Sequence, residues 1–178
     1  MIININLKAL QNYTALITEN PSEAISSYGI TATWKGGVQT EISTHNQKVG
    51  SKEIIKNFSY TIGEPEELLG NNAYPTPQEY LLGGMAGCMM VGFVILASDK
   101  GIQLESVKLK IIGDLNLRGM LELDSKASVG FEKLQFHFDV KGNGSQEQYD
   151  EIIKHVQKIS PNYRTITDSV KVTSSKLI

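Results

Sequence analysis

One side chain in this sequence can serve as a strong nucleophile, Cys88. A thiol reacts as its thiolate, so its chemistry depends on what surrounds it. Free cysteine is also among the most buried residue types and packs as a small hydrophobe. Spacing adds a second feature. Gly84, Cys88 and Gly92 recur every fourth residue, which puts them on one face of a helix. A strip without side chains beside the sulfur lets another backbone, or a substrate, approach closely. Each glycine inside a helix costs about 1 kcal/mol relative to alanine, so the strip calls for a packing or functional reason.

Other catalytic templates fail. His45, His137 and His155 lie in three separate segments and show no metal-ligand spacing with Cys88. His137 and His155 fall on polar faces and read as solvated surface. No phosphate-cradling or dinucleotide-binding glycine loop is present, and the carboxylates are too scattered to name an acid/base pair. Trp34, Phe136 and Phe138 read as core side chains rather than a stacking platform. A net charge of −2 argues against a nucleic-acid partner. No cofactor or metal is expected.

The elements that must position Cys88 follow from periodicity and punctuation. The 178 residues suit a single domain, 1–178, with an N-terminal helical extension over about 1–27. Residues 5–17 carry a helix pattern that ends before Pro21. Residues 28–34 and 38–44 read as a hairpin turned by Lys35-Gly36-Gly37, 45–56 as a polar stretch with a loop, and 57–62 as a third strand. Thr76, Pro77 and Glu79 start a long apolar helix with a capping box, and Gly101 suits its left-handed exit. From Tyr80 to Ala97 that helix has no charge, at the lower limit of a membrane span. Four glycines and the absence of flanking lysine or arginine clusters favour a buried core helix instead.

Val107, Leu109 and Ile111 alternate with lysines as a half-buried strand, and Leu134, Phe136, Phe138 and Val140 alternate more strongly. Ser145 and Gln148 form a second capping box. Tyr149, Ile152, Ile153, Val156 and Ile159 give the following helix one apolar face, and Pro161 ends it. Residues 170–173 suggest a last strand. The first residues lack the basic and apolar regions of a signal peptide, and a lone cysteine suits a reducing compartment, so the expected location is cytoplasmic with no membrane association.

Pro75-Thr76-Pro77-Gln78-Glu79-Tyr80-Leu81-Leu82-Gly83-Gly84-Met85-Ala86-Gly87-Cys88 resembles the central helix of the OsmC/Ohr family. Lys100-Gly101-Ile102 with Leu104-Glu105-Ser106-Val107, the stretch Gly113-Asp114-Leu115-Asn116-Leu117-Arg118-Gly119, Gly130-Phe131 and Ser160-Pro161 match further family segments in order. The resemblance runs from about Ala32 to the C-terminus. It implies an α/β (α+β) fold in which antiparallel sheets pack around a central apolar helix and two chains intertwine as a homodimer. It further implies a peroxiredoxin-like reduction of organic hydroperoxides in oxidative stress. In that chemistry a peroxidatic cysteine on the central helix is activated by a glutamate and an arginine, and a resolving cysteine on the second helix closes a disulfide.

Residue by residue, the carry-over is partial. Cys88 occupies the peroxidatic position, Gln78 the glutamate position and Ser160 the resolving position. Glu79 is one residue along and points about 100° away on a helix. No arginine precedes Arg118; Lys35 or Lys48 could supply positive charge but lacks the guanidinium fork. Two readings follow. One is a one-cysteine peroxidase acting on organic hydroperoxides, with Gly84 and Gly92 as substrate access and an external thiol as reductant. The other is a non-catalytic dimeric module that binds a small apolar ligand, with Cys88 as packing.

Overall fold

The computed structural model describes residues 5–168 and 170–174. The chain forms two compact units, one over 6–81 and the other from 82 onward.

The N-terminal unit begins with α1 (Leu7–Glu19), capped by the Asn6 side chain, which accepts a hydrogen bond from Ala9 N at 3.0 Å. Tyr13 Oη donates to the Glu23 carbonyl at 2.8 Å and ties this helix to the 3₁₀ turn Pro21–Ala24 that follows. Strands β1 (Ser26–Ser27), β2 (Ile30–Gly36), β3 (Gln39–Thr44), β4 (Gln47–Val49), β5 (Lys52–Ile54) and β6 (Ser59–Ile62) then make two antiparallel sheets, ordered β2-β3-β6 and β1-β4-β5. The β2–β3 hairpin turns as expected at Gly36 and Gly37, both at positive φ, where a glycine carries no Cβ penalty.

The polar stretch 45–56 holds β4, β5 and a tight turn at Gly50, whose φ is 56°. These strands are three residues each, too short for alternation to announce them. One expectation fails in this unit. Trp34 is not core: it is 73% exposed, and its indole N–H is satisfied by the Gly37 carbonyl at 2.9 Å. Register puts Ile30, Ala32 and Trp34 of β2 on one face with Ile42 of β3 and Tyr60 of β6. Only Ile42 is buried there.

Helix α2 (Pro77–Asp99) starts in the N-terminal unit and continues through the other. Its capping box is formed: Glu79 N donates to Thr76 Oγ1 at 3.3 Å, and the Glu79 carboxylate accepts from Thr76 N at 2.7 Å. In its first turn Tyr80 stacks on Tyr60, ring centroids 4.6 Å apart, and donates to the Thr61 carbonyl.

The C-terminal unit holds the larger core. Met85, Met89, Phe93 and Ala97 of α2 recur every fourth residue and are all buried. They pack with Phe138 of the antiparallel pair β7 (Leu104–Gly113) and β8 (Leu134–Gly142), and with Tyr149, Ile152 and Val156 of α4 (Gln146–Ile159). The Phe93 and Phe138 rings stack at 4.9 Å. The alternation in β8 holds as read: Phe138 is buried, while Gln135, His137 and Asp139 are exposed. His155 on α4 is likewise exposed. Of the residues assigned to the apolar face of α4, Ile159 lies outside the core at 49% exposure.

Ser145 and Gln148 form their capping box at the start of α4, and Gly101 takes φ 70° at the end of α2. Between the strands, 114–133 folds back around α3 (Leu117–Met120), where Gly119 lies so close to the Ser128 carbonyl that a Cβ has no room. After α4, Pro161 opens a further short helix, α5 (Pro161–Thr167). The strand expected at 170–173 does not form.

Among the described residues, α2 is the one helix long and apolar enough to cross a membrane by length and composition. One stripe of it, Met85 to Ala97, packs in the C-terminal core.

Candidate functional site

Cys88 lies at the middle of α2, half-buried, one residue before the fully buried Met89. The glycine strip around it has a partner. A Cβ added at Gly92 would sit 3.6 Å from Val156 of α4, and one added at Gly84 would sit 3.5 Å from Asn162 Nδ2 of α5. Asn162 Nδ2 also donates to the Gly84 carbonyl at 2.8 Å. The strip is therefore a seam along which α2 approaches α4 and α5.

The two fixed points bracket the site. Gly84 and Gly92 are eight residues apart, roughly 12 Å along a helix, and Cys88 is halfway between them. On the other side of the seam, Ser160 lies between Val156 and Asn162. It is buried, 2% exposed, and caps α5: its hydroxyl oxygen accepts from Tyr163 N at 3.4 Å.

A neighbouring face of α2, about 100° round the helix, is open. A Cβ at Gly83 or Gly87 would meet nothing within 4 Å, and Val91 is 61% exposed. The strip and this open side differ in what faces them, a distinction sequence spacing alone does not make.

The proposed activating partners are placed as follows. Gln78 is the second residue of α2, half-buried, within the N-terminal unit. Glu79, its charged neighbour, spends its carboxylate on the helix cap, accepting from both Thr76 N and Thr76 Oγ1. Lys35 is paired with Glu41 at 3.3 Å, and Lys48 is an exposed residue of β4. Arg118 lies 3.7 Å from Asp124, and Arg164 2.8 Å from Asp168. Among the described residues, no group of three or more histidine, cysteine, aspartate or glutamate side chains could hold a metal ion.

The family model for OsmC-like proteins matches residues 70–175, more than half of the chain and the whole of this seam. The chain belongs to the OsmC-like family. Solved structures agree on the fold. An OsmC-like protein from Mycoplasma pneumoniae superimposes with a TM-score of 0.63 at 19% identity, covering 79% of this chain and 87% of that one. An OsmC-like protein of unknown function from Vibrio cholerae gives 0.62 at 14%, covering 79% and 94%. An organic hydroperoxide resistance protein from Elizabethkingia anophelis gives 0.52 at 18%, covering 78% and 86%. No curated protein matches. The OsmC-like fold is thus established as a mixed α/β arrangement of small antiparallel sheets and a central helix.

Residues missed by sequence reasoning are Asn162 and Val156, as the partners of the strip. Asn162 follows Pro161 at the start of α5, a position that reads only as a helix beginning, and Val156 reads only as a core residue of α4.

Proposed function

We propose that this OsmC-like protein is a one-cysteine thiol peroxidase acting on organic hydroperoxides and recycled by an external thiol in a reducing cytoplasm. The observation that carries the reading is the placement of Cys88. It is half-buried in the middle of α2, on a glycine strip that contacts Val156 of α4 and Asn162 of α5. In the reaction the Cys88 sulfur attacks the distal peroxide oxygen and the O–O bond breaks. The alkoxide leaves and takes a proton to become the alcohol. The sulfur is oxidised by two electrons to sulfenic acid, and the peroxide is reduced.

With serine at 160 no internal disulfide can trap that product, so an external thiol must attack it. With Gln78 neutral and Glu79 engaged in the cap, turnover is slow compared with a site holding a charged partner. The test treats the protein with an organic hydroperoxide, traps with dimedone and reads the adduct by mass spectrometry. One adduct at Cys88, absent in Cys88→Ser, is expected. No adduct at saturating hydroperoxide overturns the reading.

The open side of α2 favours a second component. Gly83, Gly87 and Val91 form an apolar surface on an otherwise buried type of helix. We propose that a second copy of the chain covers it in a homodimer. If Cys88 proves unreactive, the dimeric module binding a small apolar ligand, with Cys88 as packing, becomes the better account.

A further inference from the structure

Helix α1 lies outside the residues that the family model matches. Around its axis Leu7, Leu10, Tyr13, Leu16 and Ile17 fall within about half of the circumference, and Lys8, Gln11, Asn12 and Glu19 fall in the other half. An apolar helix face needs a layer packed against it. Yet no residue of α1 is buried in this chain, and Leu10 and Leu16 are 40% and 46% exposed. The same unit holds a second uncovered face. Ile30, Ala32 and Trp34 of β2 lie on one side of the β2-β3-β6 sheet, and all three are exposed. Tyr80 covers that side only at the Tyr60 ring of β6. Helix α1 therefore does not cover the sheet of its own chain.

The two faces match in size and in chemistry. The 13 residues of α1 span roughly 20 Å as a helix. The 7 residues of β2 span roughly 23 Å as a strand. Neither face carries a charged side chain, because Lys8 and Glu19 lie on the polar half of α1. We infer that α1 of one copy lies along β2 of a second copy, and reciprocally, in a two-fold exchange of N-terminal helices. This rests on the homodimer reading for its second copy and adds a surface which that reading does not use. Each copy offers one helix face and one sheet face, so a single symmetric contact covers all four. Covering Leu10, Leu16, Ile30 and Trp34 in both copies, with the atoms around them, removes on the order of 1,000 Å² from water, enough for a specific interface. A membrane surface is a poorer occupant, since one lysine and one glutamate give α1 no cationic rim for anionic headgroups.

The experiment uses Trp34, the one tryptophan of the chain, as its reporter. Emission wavelength and acrylamide quenching are followed over protein concentration, alongside sedimentation. Wild type is compared with Leu10→Glu/Leu16→Glu, which blocks the helix face, with Ala32→Lys, which blocks the sheet face, and with a mixture of the two. Gln11→Glu, on the polar half of α1, controls for added charge. All four positions are exposed, so the variants should fold, and far-UV melts check this. In wild type the emission should move to the blue and quenching should fall several-fold as the dimer forms, and Gln11→Glu should behave alike. Each face variant alone should keep Trp34 exposed. The mixture should regain part of the protection, because one of its two helix–sheet contacts is intact. Protection that does not depend on concentration overturns the inference in favour of the chain's own helix. Protection that survives Leu10→Glu/Leu16→Glu, or that the mixture fails to restore, overturns it as well. Trp34 exposed within a sedimenting dimer overturns it while leaving the homodimer reading standing. A monomer at every concentration sinks both.

Discussion

The two units of this chain bury their apolar residues very differently. In the C-terminal unit Met85, Met89, Phe93, Ala97, Phe138, Ile152 and Val156 close into one core around α2. In the N-terminal unit only Ile42 is buried, while Tyr28, Ile30, Trp34, Ile55 and Phe58 all remain exposed. Patterning is comparable in both: the register of β2, β3 and β6 lines up one apolar face, much as β7 and β8 do. What differs is the layer on top. Patterning decides which face of a sheet is apolar, and stability comes only when a second layer removes that face from water.

Substitutions can break or sharpen this contrast. The largest effect is expected at Phe93, fully buried and stacked on Phe138. Phe93→Ala should cost about 3–5 kcal/mol by urea unfolding. Trp34→Ala, at an exposed aromatic, should change stability by no more than about 0.5 kcal/mol in dilute solution. Equal losses for the two would erase the contrast between the units.

Next comes Ser160→Cys, which tests the seam from within the C-terminal unit. If Cys88 and residue 160 face each other, mild oxidation should join them, since a disulfide needs Cα atoms within about 7 Å. The closed loop should stabilise by up to about 4 kcal/mol. Peptide mapping without reductant reads the bond directly, and two free thiols after oxidation would contradict the bracketing by Gly84 and Gly92.

The two sides of α2 provide the third comparison. Gly92→Leu pushes into Val156 and should destabilise by about 1–3 kcal/mol through overpacking. Gly87→Leu meets nothing in the chain itself and should leave the monomer's unfolding nearly unchanged while weakening self-association in sedimentation. A dimer unaffected by Gly87→Leu would move the second copy away from this side of the helix.

The smallest effect is electrostatic. The backbone N–H at Glu147 and the Ser145 hydroxyl, both at the start of α4, hold the exposed Glu147 carboxyl below its usual value of 4.5. A lowered native pKa adds stability above the unfolded value, and that contribution is lost as pH falls through the native one. Glu147→Gln should therefore be slightly less stable than wild type at neutral pH, and the difference should vanish in acid, by parallel thermal melts at both pH values.

Much of the C-terminal unit was legible in advance. The β8 alternation, the α4 apolar face up to Val156 and the α4 capping box appear where their residue types put them, as does the Thr76–Glu79 box in the N-terminal unit. The misreadings have physical causes. Trp34 sits on a true apolar face, but its strand pattern carries no information about whether anything lies over that face. Strands β4 and β5 are three residues each, too short for a period to be read from them. Val170 and Val172 have strand-forming side chains, yet propensity without a pairing partner does not make a strand.

For the candidate site the division is sharper. Local sequence alone determined that α2 begins at Thr76 with Glu79 closing its cap, that it exits through Gly101, and that Gly84, Cys88 and Gly92 share a face. All of these depend on groups within a few residues of one another. Only the tertiary structure decided that the strip contacts Val156 and Asn162, that Gly83 and Gly87 face open space, and that Ser160 is buried. Those contacts join residues more than sixty positions apart in the chain. Helical period tells which residues share a face, but not what that face packs against, because that depends on how the whole set of apolar faces is best removed from water.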